Sequence, residues 1–143
     1  MKTTNTGSAR YEGLGKDGKG SLSTGSGALK DQPYGFTTRF EGAPGTNPEE
    51  LIAAAHASCF TMALSFALAR AGHADGTLDT DATVTLEKEG DGFTVTRSDL
   101  VLKARVPGID SAEFDRIAQE AKAGCPISKL LNAEITLDAT LEG

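Results

Sequence analysis

Tryptophan is absent from this chain of 143 residues, and cysteine, histidine, methionine and tyrosine occur twice each. Two cysteines cannot build a disulfide scaffold in a chain this size, so the expected thiols are free, catalytic or redox-sensing ones in a reducing compartment. Soft metal ligands are equally scarce. His56 and Cys59 stand one helical turn apart, but His73 and Cys125 have no close spacing to complete a zinc set, so no metal is expected. Basic runs are missing, and a net charge of −6 argues against a nucleic-acid partner. No apolar signal segment follows Met1, which makes a cytoplasmic location the expectation. Long apolar runs are lacking with one exception, Leu51 to Ala69. That run is alanine-rich, is interrupted by His56, Ser58, Thr61 and Ser65, and has no basic flank, so a buried helix is expected and no membrane span.

What is present is turn chemistry and alternation. Seventeen glycines signal many turns. Strands are expected at Ala9 to Leu14 and Gly20 to Thr24, joined by a turn carrying Asp17-Gly18, with a third from Tyr34 to Glu41. The clearest boundary follows: Asn47 can cap a helix, Pro48 suits its first position, and Glu50 stands three residues after the cap. That helix should run to about Ala71 and stop at Gly72, roughly 36 Å long. Apolar residues on nearly every side of it predict a central helix, covered by sheet or by a partner subunit. Two strands, Thr80 to Lys88 and Phe93 to Val106, flank a Gly90-Asp91-Gly92 turn. A helix capped by Asp110 covers Ser111 to Ala123, a short helix begins near Pro126, and Ala133 to Leu141 alternates as a strand with one buried face. The order predicts an α+β fold in a single domain, residues 1–143.

Gly13-Leu-Gly15-Lys-Asp-Gly18 matches a dinucleotide-binding glycine pattern, but the residues after it read as strand, so a hairpin turn is the better reading. The two cysteines, 66 residues apart, carry more chemistry. Cys59 lies in mid-helix, where a buried thiol is commonly a small core residue. If reactive, it needs a cation from another element. Arg39, on the strand leading to the helix, is a candidate, its alternative reading being an exposed strand arginine. Cys125 precedes Pro126 at a helix start, where backbone N–H groups stabilise a thiolate, so local electrostatics alone makes Cys125 the more acidic thiol. His56 reads as a packed helix residue near the thiol.

Three segments together resemble the OsmC/Ohr family, on its OsmC branch: Gln32-Pro-Tyr-Gly-Phe-Thr-Thr-Arg39-Phe-Glu-Gly, Gly45-Thr-Asn-Pro-Glu-Glu through His56-Ala-Ser-Cys59-Phe, and Ala121-Lys-Ala-Gly-Cys125-Pro-Ile-Ser. The resemblance extends from near residue 9 to the C-terminus. It implies two β-sheets around long central helices in an intertwined homodimer. It also implies a thiol-dependent peroxidase, active in oxidative and osmotic stress, that reduces organic hydroperoxides and, less efficiently, hydrogen peroxide. Carried over by motif, Cys59 is the peroxidatic thiolate, Cys125 the resolving thiol, and Arg39 with Glu49 the pair that activates Cys59. The implied order of acidity is thus the reverse of the local one. The resemblance implies no cofactor, only an external dithiol reductant, for which a lipoyl-type dithiol is the candidate.

Ten residues separate Glu49 from Cys59, about 15 Å of rise on one continuous helix. Glu49 and Arg39 are therefore expected to reach Cys59 from the partner subunit or after a helix break. Phe60, Met62 and Phe36 are candidate apolar walls. The competing readings are a thiol redox sensor without turnover and a dimer that binds a hydrophobic ligand.

Overall fold

A computed structural model describes residues 1–143. The element order is β1 (Gly7–Glu12), β2 (Lys19–Thr24), β3 (Gln32–Tyr34), α1 (Phe36–Phe40), α2 (Pro48–Arg70), β4 (Thr77–Glu89), β5 (Gly92–Arg105), α3 (Ser111–Gly124), α4 (Pro126–Leu130) and β6 (Glu134–Leu141). By packing, the chain divides into two compact units, Met1–Leu51 and Ile52–Gly143.

The first unit holds an antiparallel sheet in the order β1-β2-β3. The glycine-rich segment is a hairpin connection, with Glu12 opposite Lys19. Its left-handed positions are Gly13 (φ 70°) and Gly15 (φ 82°), conformations that cost glycine nothing, so β1 ends before them and Leu14 stands exposed. The expected third strand is shorter than its alternation suggested. Pairing stops at Tyr34, opposite Gly20, and Phe36–Phe40 turns into a short helix instead. The Thr38 hydroxyl accepts from the Gly35 N–H and donates to the Gly35 carbonyl, closing the turn, while the Arg39 N–H donates to that same carbonyl. Phe36 and Phe40, which alternate as strand residues, also stand four apart. Their rings meet at 5.0 Å, the pairing a helix allows. Arg39 therefore sits on α1 and not on a strand.

The second unit carries the main core. β4 and β5 form a long hairpin with Glu89 opposite Gly92, Gly90 supplying the positive φ of the turn. β6 pairs with β5 in parallel, which requires the crossover that α3 and α4 provide. Asp110 caps α3 by accepting from the Glu113 N–H, as its sequence position predicts.

The helix α2 is unbroken from Pro48 to Arg70, and Gly72 (φ 95°) ends it as expected. Its length and composition would let it cross a membrane, but one stripe at every fourth residue, His56, Phe60, Leu64 and Leu68, is buried in the protein core. Against it lie Leu100, Leu102 and Ala104 of β5 and Phe114, Ile117, Ala118 and Ala121 of α3. Fully burying each large apolar side chain contributes on the order of 1.5–3 kcal/mol. The rest of α2 is less covered than its composition predicts: Met62 is 62% and Phe66 60% exposed within the chain.

Candidate active site

Two side-chain pairs emerge from the four residues singled out in the sequence, one in each unit. The first is Arg39 with Glu49. Asn47 fixes their frame: its Oδ1 accepts from the Glu50 N–H at 2.8 Å, capping α2, while its Nδ2 donates to the Thr38 carbonyl at the start of Arg39's turn. Glu50 accepts from the Thr46 hydroxyl and belongs to the helix start. Glu49, one residue earlier, turns instead to Arg39. Arg39 Nε donates to Glu49 Oε1 at 2.6 Å and Nη2 donates to Oε2 at 2.9 Å. This bidentate fork leaves Nη1 available to a third group. The hydrogen bond from Glu49 holds the guanidinium pKa above its ordinary value despite partial burial. Tyr11, Tyr34, Phe36, Phe40 and Pro48 line a mainly apolar pocket beside the Arg39 side chain.

The second pair is Cys59 with Cys125. Both are free thiols, Cys59 half-buried on α2 and Cys125 buried at the junction of α3 and α4. The two sulfurs are near enough for each thiol to shift the acidity of the other. Burial raises the pKa of Cys59, and its hydrogen bond to Cys125 raises it further against a backbone N–H of Ile127. Burial also pushes Cys125 up, but the hydrogen bond from Cys59, the N–H and hydroxyl of Ser128 and the N–H of Ile127 together bring it below its ordinary value. Within this chain Cys125 is therefore the more acidic of the two thiols, the order that local electrostatics alone predicts.

His56, one turn before Cys59, is fully buried with both ring nitrogens occupied: Nδ1 meets Ser98 Oγ at 2.6 Å and Nε2 meets Ser128 Oγ at 2.7 Å. It is a packed residue, as its helix position suggested. Ser98 carried no signal in the sequence, because its role comes from a neighbour 42 positions away. Of the apolar walls proposed from sequence, Phe36 lines the pocket beside Arg39, whereas Phe60 is wholly buried in the core and Met62 lies on the open face of α2.

A family model described as OsmC-like protein matches residues 40–140. The chain is 57% identical over 136 residues to Peroxiredoxin OsmC of Escherichia coli strain K12, a match covering 95% of each chain. The chain belongs to the OsmC-like protein family. Within this family it is also similar to the Organic hydroperoxide resistance protein of Xanthomonas axonopodis pv. citri strain 306, 33% identical over 101 residues, 70% of this chain and 69% of that one. The crystal structure of the organic hydroperoxide resistance protein OhrB of Bacillus subtilis has the same fold, with a TM-score of 0.72 at 25% identity over 96% of this chain and 98% of that chain. The α+β architecture with two sheets is thus the family fold. Both cysteines lie inside the span of the family model, and Arg39 stands one residue before its start.

Proposed function

We propose that this protein is a cysteine-based peroxidase that reduces organic hydroperoxides to alcohols and, less efficiently, hydrogen peroxide to water. The observation that carries the reading is the meeting of two free thiols, Cys59 and Cys125, in a chain closely similar to a peroxiredoxin. In this mechanism the Cys59 thiolate attacks the outer peroxide oxygen, the O–O bond breaks, and the alkoxide leaves as alcohol after taking a proton. The Cys59 sulfenic acid is then attacked by Cys125: the S–S bond forms, the S–O bond breaks and water departs. An external dithiol returns both sulfurs to thiols by exchange, and no bound cofactor takes part.

Cys59 needs a cation that its own surroundings lack, since burial and Cys125 both raise its pKa. Arg39, held by Glu49, is that cation. The unbroken α2 leaves about 15 Å of helical rise between Glu49 and Cys59, which favours supply of the Arg39–Glu49 pair by the partner subunit. A homodimer also accounts for Met62 and Phe66, apolar and exposed on the open face of the same helix. In this assembly Arg39 lowers the Cys59 pKa and the acidity order of the free chain inverts. The reading places the enzyme in the bacterial cytoplasm, where its thiols stay reduced between turnovers.

The test is consumption of an alkyl hydroperoxide and of hydrogen peroxide with dihydrolipoamide as reductant. Turnover faster with the alkyl peroxide, lost in Cys59→Ser and reduced to thiol over-oxidation in Cys125→Ser, is the expected result. Stoichiometric oxidation without turnover would instead identify a redox sensor, and no reaction would leave both thiols as packing residues.

A further inference from the structure

The peroxidase mechanism leaves the glycine-rich β1–β2 connection unused, yet that turn is tied to the pocket beside Arg39. Tyr11, on β1, donates its hydroxyl to the Gly15 carbonyl at 2.9 Å, and the Gly18 N–H donates to the same oxygen at 3.2 Å. The Tyr11 ring lies so close to the Gly18 backbone that a Cβ at position 18 would collide with it. Tyr11 also meets Tyr34 edge to face, with ring centroids 6.0 Å apart. A closed turn therefore presents Lys16, whose Nζ stands 4.8 Å from the centroid of the Phe36 ring.

From Lys16 the contacts continue from ring to ring. Phe36 meets Phe40 at 5.0 Å, and the Arg39 guanidinium carbon stands 5.5 Å from the Phe40 centroid. A cation thus ends this chain of contacts on each side, and all four residues line the same pocket of about 290 Å³. The two cations differ in their partners. Arg39 is held by both oxygens of Glu49, whereas Lys16 takes part in no ion pair, although Asp17 is its neighbour in the chain. An ammonium resting on a ring face keeps its charge available to an anion. At the edge of an apolar pocket it is a receptor for an anion joined to an apolar chain, the chain covering the rings and the anion meeting the ammonium. A neutral chain would cover the rings and leave the ammonium without a partner.

We infer that Lys16 is a specificity-determining residue, which selects among organic hydroperoxides those whose apolar chain ends in a carboxylate. The inference rests on the peroxidase reading, in which Arg39 stands at the reacting sulfur. The hydroperoxide group then lies at Arg39, the chain covers Phe40 and Phe36, and the carboxylate meets the Lys16 ammonium. That contact is remote from the O–O bond and is made equally in the ground state and the transition state, so it acts on KM and not on kcat. Lys16 is exposed, so the contact weakens as salt rises.

The test has a binding arm and a turnover arm, both on the whole reduced protein. Binding is measured without peroxide, by NMR titration with ω-hydroxydecanoate and with its methyl ester, reading the Phe36 and Phe40 ring signals in wild type, Lys16→Met and Lys16→Arg. Methionine keeps an unbranched apolar stem over Phe36 and removes the charge, whereas arginine keeps the charge. The carboxylate should bind wild type and Lys16→Arg about fivefold more tightly than the ester does, and the two should bind Lys16→Met alike. In turnover, the kcat/KM ratio of ω-hydroperoxydecanoate to its methyl ester should follow the same order, with the difference in KM and a smaller ratio at high salt. Equal affinity of acid and ester for wild type would overturn the inference, and so would a carboxylate preference that survives in Lys16→Met. Carboxylate preference in binding with no turnover of either peroxide would refute the peroxidase reading while upholding Lys16 as the anion contact.

Discussion

Arg39 and Glu49 meet through two parallel hydrogen bonds, Nε to Oε1 at 2.6 Å and Nη2 to Oε2 at 2.9 Å. Ten positions apart in sequence, they are brought together because Asn47 ties the capped start of α2 to the Thr38 turn. The fork orients the guanidinium, and orientation is what a point charge cannot supply.

Arg39→Lys therefore keeps the charge and loses the geometry. The rate of Cys59 sulfenic acid formation should fall about tenfold to a hundredfold, the equivalent of one charge-assisted hydrogen bond. Stopped-flow oxidation by an alkyl hydroperoxide measures it, and an unchanged rate would remove Arg39 from the mechanism. Glu49→Gln, which leaves one of the two contacts, should cost less than Arg39→Lys.

Placing Phe66→Glu on the open face of α2 puts a charge where a partner subunit would pack. Sedimentation velocity should show a dimer for wild type and a monomer for the variant. Peroxidase activity should fall with the dimer, since Arg39 and Cys59 would then be separated. A wild-type monomer with full activity would contradict the assembly proposed.

The stability of the protein should depend on His56 at mildly acid pH. Burial lowers the pKa of the folded imidazole, whereas the unfolded chain titrates near the ordinary value of about 6.5. Below that value the unfolded state gains a proton that the folded state refuses, so stability falls as pH drops below about 6.5 and is pH-independent above it, as far as this group is concerned. Urea midpoints taken from pH 8 to pH 5 should show the decline in wild type and a flatter profile in His56→Gln.

Leu64 is wholly buried in the α2 stripe between Phe60 and Leu68. Leu64→Ala should destabilise the fold by roughly 2–5 kcal/mol through lost transfer energy and the cavity left behind. Chemical denaturation would register this as a lower midpoint. A loss under about 1 kcal/mol would mean that the core collapses into the space.

Much of the framework was legible because it follows from local chemistry. Asn47-Pro48 starts α2 and Gly72 ends it, Asp110 caps α3, and the alternation of Glu134 to Leu141 makes β6, all from interactions among residues a few positions apart. Both thiols were visible in the same way. The segment around Arg39 was not, because Phe36-Thr-Thr-Arg-Phe40 satisfies a period of two and a spacing of four equally well. The side-chain bonds of Thr38 and the capping amide of Asn47 decide for the helix.

By itself, then, the sequence determined where the chain turns, which helix is long and apolar, and that two isolated cysteines sit in contexts suited to redox chemistry. Tertiary structure alone decided that those cysteines meet, that β6 runs parallel to β5, and that His56 finds Ser98 and Ser128 at its two ring nitrogens. The division has one physical cause. Caps and turns are settled by neighbours within one helical turn, whereas the pairing of two thiols and the partners of an imidazole depend on groups that only long-range packing brings together.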